Sequence, residues 1–159
     1  LDRRGQVGKE LVRRKMIEIV RMNENHVAAV AELERLNFST PWDENSVRSE
    51  LTNKLALWLV ALDGEQVVGY VGSQTVLQEA DMMNIAVADS HRRQGIARKL
   101  VEELIRQLDA YQLTLEVRQS NAAAISLYDA MGFAQVGLRK NYYQKPKENA
   151  LILRKEWKI

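Results

Sequence analysis

The sequence has no cysteine and only two histidines among its 159 residues. The absence of cysteine excludes a disulfide scaffold, a thiolate zinc site and a cysteine nucleophile. The two histidines are too few for a multi-histidine metal centre. We expect His26 on the polar side of a helix and His91 in a solvated loop. The residue inventory therefore predicts neither a bound metal nor covalent thiol chemistry.

Long hydrophobic runs are also missing. The longest unbroken apolar run, residues 55–62, has eight members. That is well short of the roughly 18 residues that a membrane-spanning helix needs. The N-terminus mixes charges of both signs and lacks the apolar core of a signal peptide. These features predict a soluble, cytoplasmic protein.

The net charge of +2 conceals an uneven distribution. Residues 1–15 carry six basic and two acidic side chains, whereas residues 16–159 carry 17 basic and 19 acidic ones, a net charge of −2. This charge on the main body argues against a general nucleic-acid-binding protein. The length is typical of one domain. We predict a single domain over residues 16–159, preceded by an extension or cloning remnant over residues 1–15.

The apolar pattern switches between the periods typical of strands and of helices. It predicts the order βααβββαβαββ, an α/β fold with a mixed sheet. Asn23 and Asn121 are expected to cap the first and last helices. An amphipathic helix over residues 97–108 joins the fourth and fifth strands, and this crossover requires them to be parallel. Hairpins make the other strands antiparallel. Tyr142-Tyr143 is expected in a polar loop, after a strand over residues 133–137.

Residues 84–97 join the fourth strand to the amphipathic helix through a polar, glycine-containing turn. Free backbone N–H groups at the start of a helix bind anions, and Gly95 allows a phosphate to approach the backbone. The basic side chains around this point are Arg92, Arg93, Arg98 and Lys99. The spacing matches neither a Walker loop nor a three-glycine dinucleotide motif. On the residues alone, an ordinary connection with a solvated basic rim remains an alternative.

A second group of polar residues surrounds the fifth strand. Both faces of a parallel pair of strands tend to be covered, and burying a carboxylate such as Glu116 is costly unless it has partners or a function. Asn121 and Tyr128 are seven residues apart and share one helical stripe, which can face the cleft at the carboxyl ends of the strands. Two alternatives stay open. Glu116 could lie at a solvated strand end beside Arg118, and Tyr128 could be a core residue.

The motif Arg92-x-x-Gly95-x-Ala97 matches the Q/R-x-x-G-x-G/A signature of the GCN5-related N-acetyltransferases, the GNAT family. The chain resembles this family over residues 16–159. Within the family it is similar to the bacterial ribosomal-protein alanine N-acetyltransferases in four segments, which are Pro41-Trp42, 84–87, 115–128 and 139–143. Ala97 stands where many members have glycine, and residues 1–15 have no counterpart in the pattern.

The resemblance implies central parallel strands that splay apart, with acetyl-CoA bound between them and no metal. It also implies that Glu116 is a general base and Tyr128 a general acid. The implied cofactor contacts are Ile85, Ala86, Val87, Arg93, Gln94, Gly95, Ile96, Ala97, Arg98 and Asn121. The implied acceptor contacts are Pro41, Trp42, Tyr142 and Tyr143. The expected partner is a protein N-terminus, namely the N-terminal alanine of small-subunit ribosomal protein S-eighteen.

Two other functions stay open at this point. One is a small-molecule amine acetyltransferase of the same fold, because the cofactor signature does not select the acceptor. The other is a non-catalytic acyl-CoA-binding module, which the presence of both Glu116 and Tyr128 argues against.

Overall fold

The computed structural model describes residues 16–157, so the predicted extension over residues 1–15 lies outside the described residues. The helices are α1 (Glu24–Asn37), α2 (Glu44–Ser49), α3 (Ile96–Gln107) and α4 (Ala122–Ala130). The strands are β1 (Ile17–Arg21), β2 (Ala56–Asp63), β3 (Gln66–Val76), β4 (Glu79–Val87), β5 (Gln112–Arg118), β6 (Ala134–Tyr143) and β7 (Glu148–Glu156). Short 3₁₀ turns lie at Glu50–Thr52 and Asp89–His91. This order confirms the predicted one.

The seven strands form one sheet in the order β1-β2-β3-β4-β5-β7-β6. β4 and β5 are parallel, and all other neighbours are antiparallel, as the crossover helix and the hairpins predicted. The parallel pairing covers three residue pairs, from Glu79 with Gln112 to Asp81 with Thr114. Beyond Asp81 the two strands part. The sheet is therefore open between the carboxyl-terminal halves of β4 and β5, as the resemblance implied.

Two helical layers cover the sheet unevenly. On one face, α3 and α4 pack against side chains such as Leu113 and Leu115 of β5. On the other face, α1 and α2 pack through residues such as Val30 and Val47, and the strand residues in that cluster come from β1–β4. Within residues 16–157, this second layer leaves the same face of β5, β7 and β6 uncovered. Glu116 lies on that face and is partly exposed.

The start of α1 shows a capping box. The Asn23 side chain accepts a hydrogen bond from the N–H of Asn25 at 2.9 Å, and Nδ1 of His26 accepts one from the N–H of Asn23 at 3.1 Å. These bonds satisfy donors that a helix start leaves unpaired. His26 is buried, so its predicted place on the polar side of the helix is wrong. The imidazole serves the cap instead.

The predicted loop at Tyr142-Tyr143 is also wrong, because β6 continues to Tyr143. Among the described residues, β6 is the edge strand of the sheet, pairs with β7 alone, and is exposed along most of its length. A strand exposed on both sides lacks the apolar alternation by which strands are recognised in a sequence. The turn lies later, at residues 144–147.

Candidate active site

The connection from β4 to α3 contains two residues in the left-handed region, Arg93 with φ of +62° and Gly95 with φ of +77°. Apart from Gly95 itself and its chain neighbours, no atom of residues 16–157 lies within 4 Å of the position that a Cβ of Gly95 would take. The first intrahelical bond runs from the N–H of Lys99 to the C=O of Gly95 at 3.1 Å. The preceding N–H groups have no acceptor within the helix. This open ring of donors suits a phosphate group.

The side chains around this loop hold its shape. Arg92 donates to Oδ1 of Asn37 at 2.7 Å and pairs with Asp89 at 2.9 Å, so it joins the loop to the end of α1. Arg98 forms an ion pair within α3 at 2.8 Å. Ile96 is buried and anchors the start of the helix. Because Arg92 and Arg98 are paired with other side chains, the backbone N–H groups are the main candidates for contact with an anion.

His91 also supports the loop, and its predicted place in solvent is wrong. Its Nε2 lies 2.8 Å from Oδ2 of Asp63, and its Nδ1 lies 2.7 Å from Oγ of Ser90. Its side chain is 16% exposed. The imidazole thus connects the end of β2 to the connection between β4 and α3.

β4 offers main-chain groups to the opening. Its pairing with β3 shifts register between Gly72 and Ser73, which leaves Met83 as an extra residue in a bulge. A bulge bends the strand and increases its twist. Beyond Asp81 the edge that would pair with β5 is free of that partner. Main-chain groups of residues 85–87 can therefore bond an extended ligand, as an added strand would.

Glu116 lies on β5 beyond the point where β4 and β5 part. Its Oε1 is 3.0 Å from Nε of Arg139 on β6, and its side chain is 26% exposed. The cation beside it is thus Arg139, because Arg118 pairs with Glu148 at 3.4 Å. A hydrogen bond to Glu116 is the main cause that raises the pKa of Tyr142. The carboxylate is oriented by its neighbours and still reachable from solvent, as a general base must be.

Tyr128 lies on α4 and is buried, with its ring edge-on to Phe133 at 5.4 Å between centroids. Its hydroxyl points to Sδ of Met82, 3.9 Å away, and a thioether is a weak acceptor. Met82 is the first residue of β4 beyond the parallel pairing, so the hydroxyl lies at the base of the opening. Burial raises the pKa of Tyr128 to about 12. The hydroxyl therefore keeps its proton at neutral pH and can donate it.

Asn121 caps α4, as predicted. Its Oδ1 accepts a hydrogen bond from the N–H of Ala124 at 3.2 Å. An asparagine amide carries separate donor and acceptor groups, so its Nδ2 can donate to a ligand while Oδ1 serves the cap. The residue is exposed at the carboxyl end of β5, where such a ligand would pass.

The aromatic residues assigned to the acceptor lie in two places. Trp42 is half-buried in the connection from α1 to α2, next to exposed Pro41, and its ring is edge-on to Trp58 at 5.4 Å. Tyr142 and Tyr143 end β6 and meet edge-on at 5.1 Å. Their role as opposite walls of one groove stays a prediction.

The sequence reasoning missed two acidic residues near these groups. Asp81 is the last residue of β4 in the parallel pairing, and partial desolvation together with the charge of Glu116 raises its pKa. Glu34 of α1 is fully buried. A single Asp within a strand gives no signal. Glu34 did give one, because it stands seven residues after Val27 on the apolar stripe of α1.

Within residues 16–157, no group of three or more histidine, cysteine, aspartate or glutamate residues is arranged to hold a metal ion. None of the helices in this part of the chain is long and apolar enough to cross a membrane. The described site thus consists of an anion-binding loop, a free strand edge, an oriented carboxylate and a buried phenol.

The model of the Acetyltransferase (GNAT) family matches residues 27–133. The [Ribosomal protein bS18]-alanine N-acetyltransferase of Haemophilus ducreyi is 40% identical over 130 residues, which cover 77% of this chain and 88% of that protein. The protein of the same name from Escherichia coli is 36% identical over 130 residues, which cover 79% of this chain and 87% of that protein.

Solved structures show the same architecture. The ribosomal-protein alanine N-acetyltransferase of Escherichia coli has a TM-score of 0.83 at 33% identity, covering 91% of this chain and 96% of that one. Arabidopsis thaliana NAA60 in complex with acetyl-CoA has a TM-score of 0.81 at 17% identity, covering 89% of this chain and 98% of that one. The second likeness concerns the fold alone.

Proposed function

The chain belongs to the GNAT family of acetyltransferases, and on that premise we propose that it acetylates the N-terminal amine of a protein. It is an N-acetyltransferase that uses acetyl-CoA. The observation that carries the proposal is the opening between β4 and β5, which has an anion-binding loop at one end and Glu116 with Tyr128 beside it.

The pyrophosphate of acetyl-CoA would rest on the N–H groups of residues 93–98, in the open space around Gly95. Its pantetheine arm would run along the free edge of β4, bonded to the main chain of residues 85–87, with Nδ2 of Asn121 as a further donor. This path leads the thioester from the loop to the base of the opening, where the hydroxyl of Tyr128 lies.

Glu116 and Tyr128 can divide the proton transfers between them. Glu116 takes a proton from the acceptor ammonium, directly or through water, and the freed lone pair attacks the thioester carbon. The C–S bond breaks, and Tyr128 donates its proton to the departing thiolate. The attacking nitrogen then loses a second proton, which restores the Tyr128 hydroxyl through water, while Glu116 releases the first to solvent. No covalent acyl-enzyme is formed.

The acceptor we propose is the N-terminal alanine of ribosomal protein bS18. The relatives from Haemophilus ducreyi and Escherichia coli carry that substrate in their names. An extended peptide needs groups that bond its main chain and walls that pack its first side chains. Trp42 on one side and Tyr142 with Tyr143 on the other offer flat apolar faces together with hydroxyls. Such an acceptor would place the activity in the cytoplasm.

An acetyl-transfer assay across acceptors tests this proposal. We expect a peptide with the bS18 N-terminus to gain one acetyl group on its α-amine by mass spectrometry, with its lysine side chains unmodified. Trp42→Ala and Tyr143→Ala should raise KM for the peptide far more than KM for acetyl-CoA. Faster acetylation of polyamines or internal lysines would overturn the acceptor and favour a small-molecule or lysine acetyltransferase.

A further inference from the structure

Glu34 places a carboxylate in the core between α1 and the sheet. It is fully buried and follows Val27 and Val30 on the same helical stripe. Moving a carboxylate out of water is costly unless hydrogen bonds replace the lost hydration. Glu34 must therefore be held by partners that make this placement stable.

Three neutral groups supply those hydrogen bonds. Oε1 accepts one from the hydroxyl of Tyr70 at 2.5 Å and one from Nδ2 of Asn84 at 2.7 Å. Oε2 accepts one from the backbone N–H of Trp42 at 3.2 Å. The donors belong to β3, to β4 and to the connection between α1 and α2. One carboxylate thus joins three separate parts of the chain.

Two of these parts carry the proposed site. Asn84 directly precedes the residues of β4 assigned to the pantetheine arm, and Trp42 is assigned to the acceptor groove. The bond to Oε2 ties the Trp42 backbone to α1 and, through the same carboxylate, to β4. The distance between acceptor wall and cofactor strand therefore depends on Glu34.

Three packed aromatic rings, those of Trp42, Trp58 and Tyr70, also connect the Trp42 ring to Glu34. The ring is edge-on to Trp58 at 5.4 Å, and Trp58 stacks on Tyr70 at 5.9 Å with an interplanar angle of 10°. Tyr70 in turn donates to Glu34. Glu34 therefore holds the Trp42 backbone directly and supports the Trp42 ring through Tyr70 and Trp58.

We propose that Glu34 is a positioning residue that sets the acceptor groove by holding Trp42 at a fixed place beside β4. Because it is fully buried, it acts through Trp42 and does not touch the acceptor. The inference rests on the proposed function, since that function assigns Trp42 to the groove.

Glu34→Met and Glu34→Gln test this role. Methionine keeps the length of the side chain and leaves all three donors unpaired, so KM for an alanine-starting peptide should rise about tenfold. KM for acetyl-CoA should change by less than about twofold, because the β3–β4 ladder still holds β4. Glutamine keeps one acceptor oxygen, so its rise should be smaller and amount to partial rescue. Where Glu34→Met does not fold, Glu34→Gln carries the test.

Leu33→Ala is the matched control, since it removes buried apolar volume one residue away on α1. It should lower Tm while leaving the ratio of the two KM values unchanged. If Glu34→Met raises both KM values equally, or moves the ratio no further than Leu33→Ala does, the positioning role is wrong.

Amide hydrogen exchange gives a readout that does not need activity. The Trp42 N–H should be protected in the parent protein and should lose that protection selectively in Glu34→Met, whereas Leu33→Ala should raise exchange along α1 as a whole. Unchanged protection at Trp42 would overturn the inference. A parent protein that transfers no acetyl group to the peptide would overturn the proposed acceptor instead, and exchange alone would then decide the role of Glu34.

Discussion

Glu34 and Glu116 are carboxylates on the same face of the sheet, but helices cover one half of that face and leave the other half open. Over β1–β4, helices α1 and α2 bury Glu34 completely and surround it with three neutral donors. Over β5, β7 and β6 no part of that layer is present, and Glu116 stays 26% exposed beside Arg139. A polar group in the covered half holds neighbouring segments in place, whereas one in the open half can reach a substrate.

The difference predicts different costs for a change in each half. In the covered half, removal of a polar partner leaves buried donors unpaired, which affects stability and the shape of the groove. In the open half, an exposed ion pair contributes about 1 kcal/mol or less to stability. Substitution of the proposed base in this half should change the rate of reaction and leave folding almost unchanged.

Glu116→Gln should have the largest effect on turnover. The amide keeps the shape of the side chain but cannot accept the proton of the acceptor ammonium, so kcat should fall about a hundredfold or more. The acidic side of the pH–rate profile should also change. Tm should stay close to that of the parent protein, and calorimetry should show unchanged affinity for acetyl-CoA.

Glu156→Gln provides the control, because it neutralises an exposed carboxylate of β7 at the far end of the same half-sheet. It should leave kcat unchanged. A parental rate in Glu116→Gln would show that this carboxylate is not the base and would remove the functional contrast between the two halves.

Tyr128→Phe should reduce kcat about tenfold or more, because the hydroxyl is the acid assigned to the departing thiolate. Its stability should be close to that of the parent protein, since the hydroxyl gives up only a weak contact to Met82. Tyr111→Phe is the matched control, as it removes a hydroxyl bonded to Glu79 beside the other end of β5. Equal rates in the two variants would exclude Tyr128 as the acid.

Gly95→Ala and Gly132→Ala compare the connection from β4 to α3 with the turn that follows α4. Both glycines are in the left-handed region, with φ of +77° and +89°, so each substitution should cost about 1 kcal/mol of stability. Only the first should raise the Kd for acetyl-CoA, by about fivefold, because that backbone is the proposed phosphate-binding element. Equal Kd values for the two variants, measured by calorimetry, would place the pyrophosphate elsewhere.

The local parts of this molecule were predictable from the sequence. The cap at Asn121, the amphipathic period of α3 and the crossover that makes β4 and β5 parallel each depend on residues close together in the chain. These features and the family signature were enough to propose where acetyl-CoA binds.

The contacts that were missed join distant residues. Arg139 meets Glu116 because of the order in which β5, β7 and β6 pair, which no local pattern reveals. β6 was predicted too short because an edge strand carries polar residues on both sides. Glu34 broke an apolar stripe, and its partners lie 8, 36 and 50 residues away along the chain. A sequence shows such a violation but not what compensates for it.

Asp81→Asn should give the smallest effect, and its sign follows from the pKa. Partial desolvation first, and the charge of Glu116 next, raise the pKa of Asp81 above its ordinary value of 3.8, against the opposing effect of Arg154. The folded state therefore binds a proton more tightly than the unfolded state. Its free energy of unfolding falls as pH rises through the window from 3.8 to the raised pKa.

At neutral pH the Asp81 charge therefore destabilises the fold slightly, and Asp81→Asn should have a Tm higher by about 1–2 °C, because solvent screens this exposed group. The gain should shrink as the pH falls through the raised pKa, because the parent protein then binds the proton as well. Asp129→Asn, which neutralises an exposed carboxylate of α4, controls for the loss of one negative charge. A lower Tm for Asp81→Asn at neutral pH would mean that the attraction of Arg154 and Arg139 outweighs desolvation and the charges of Glu116 and Glu79.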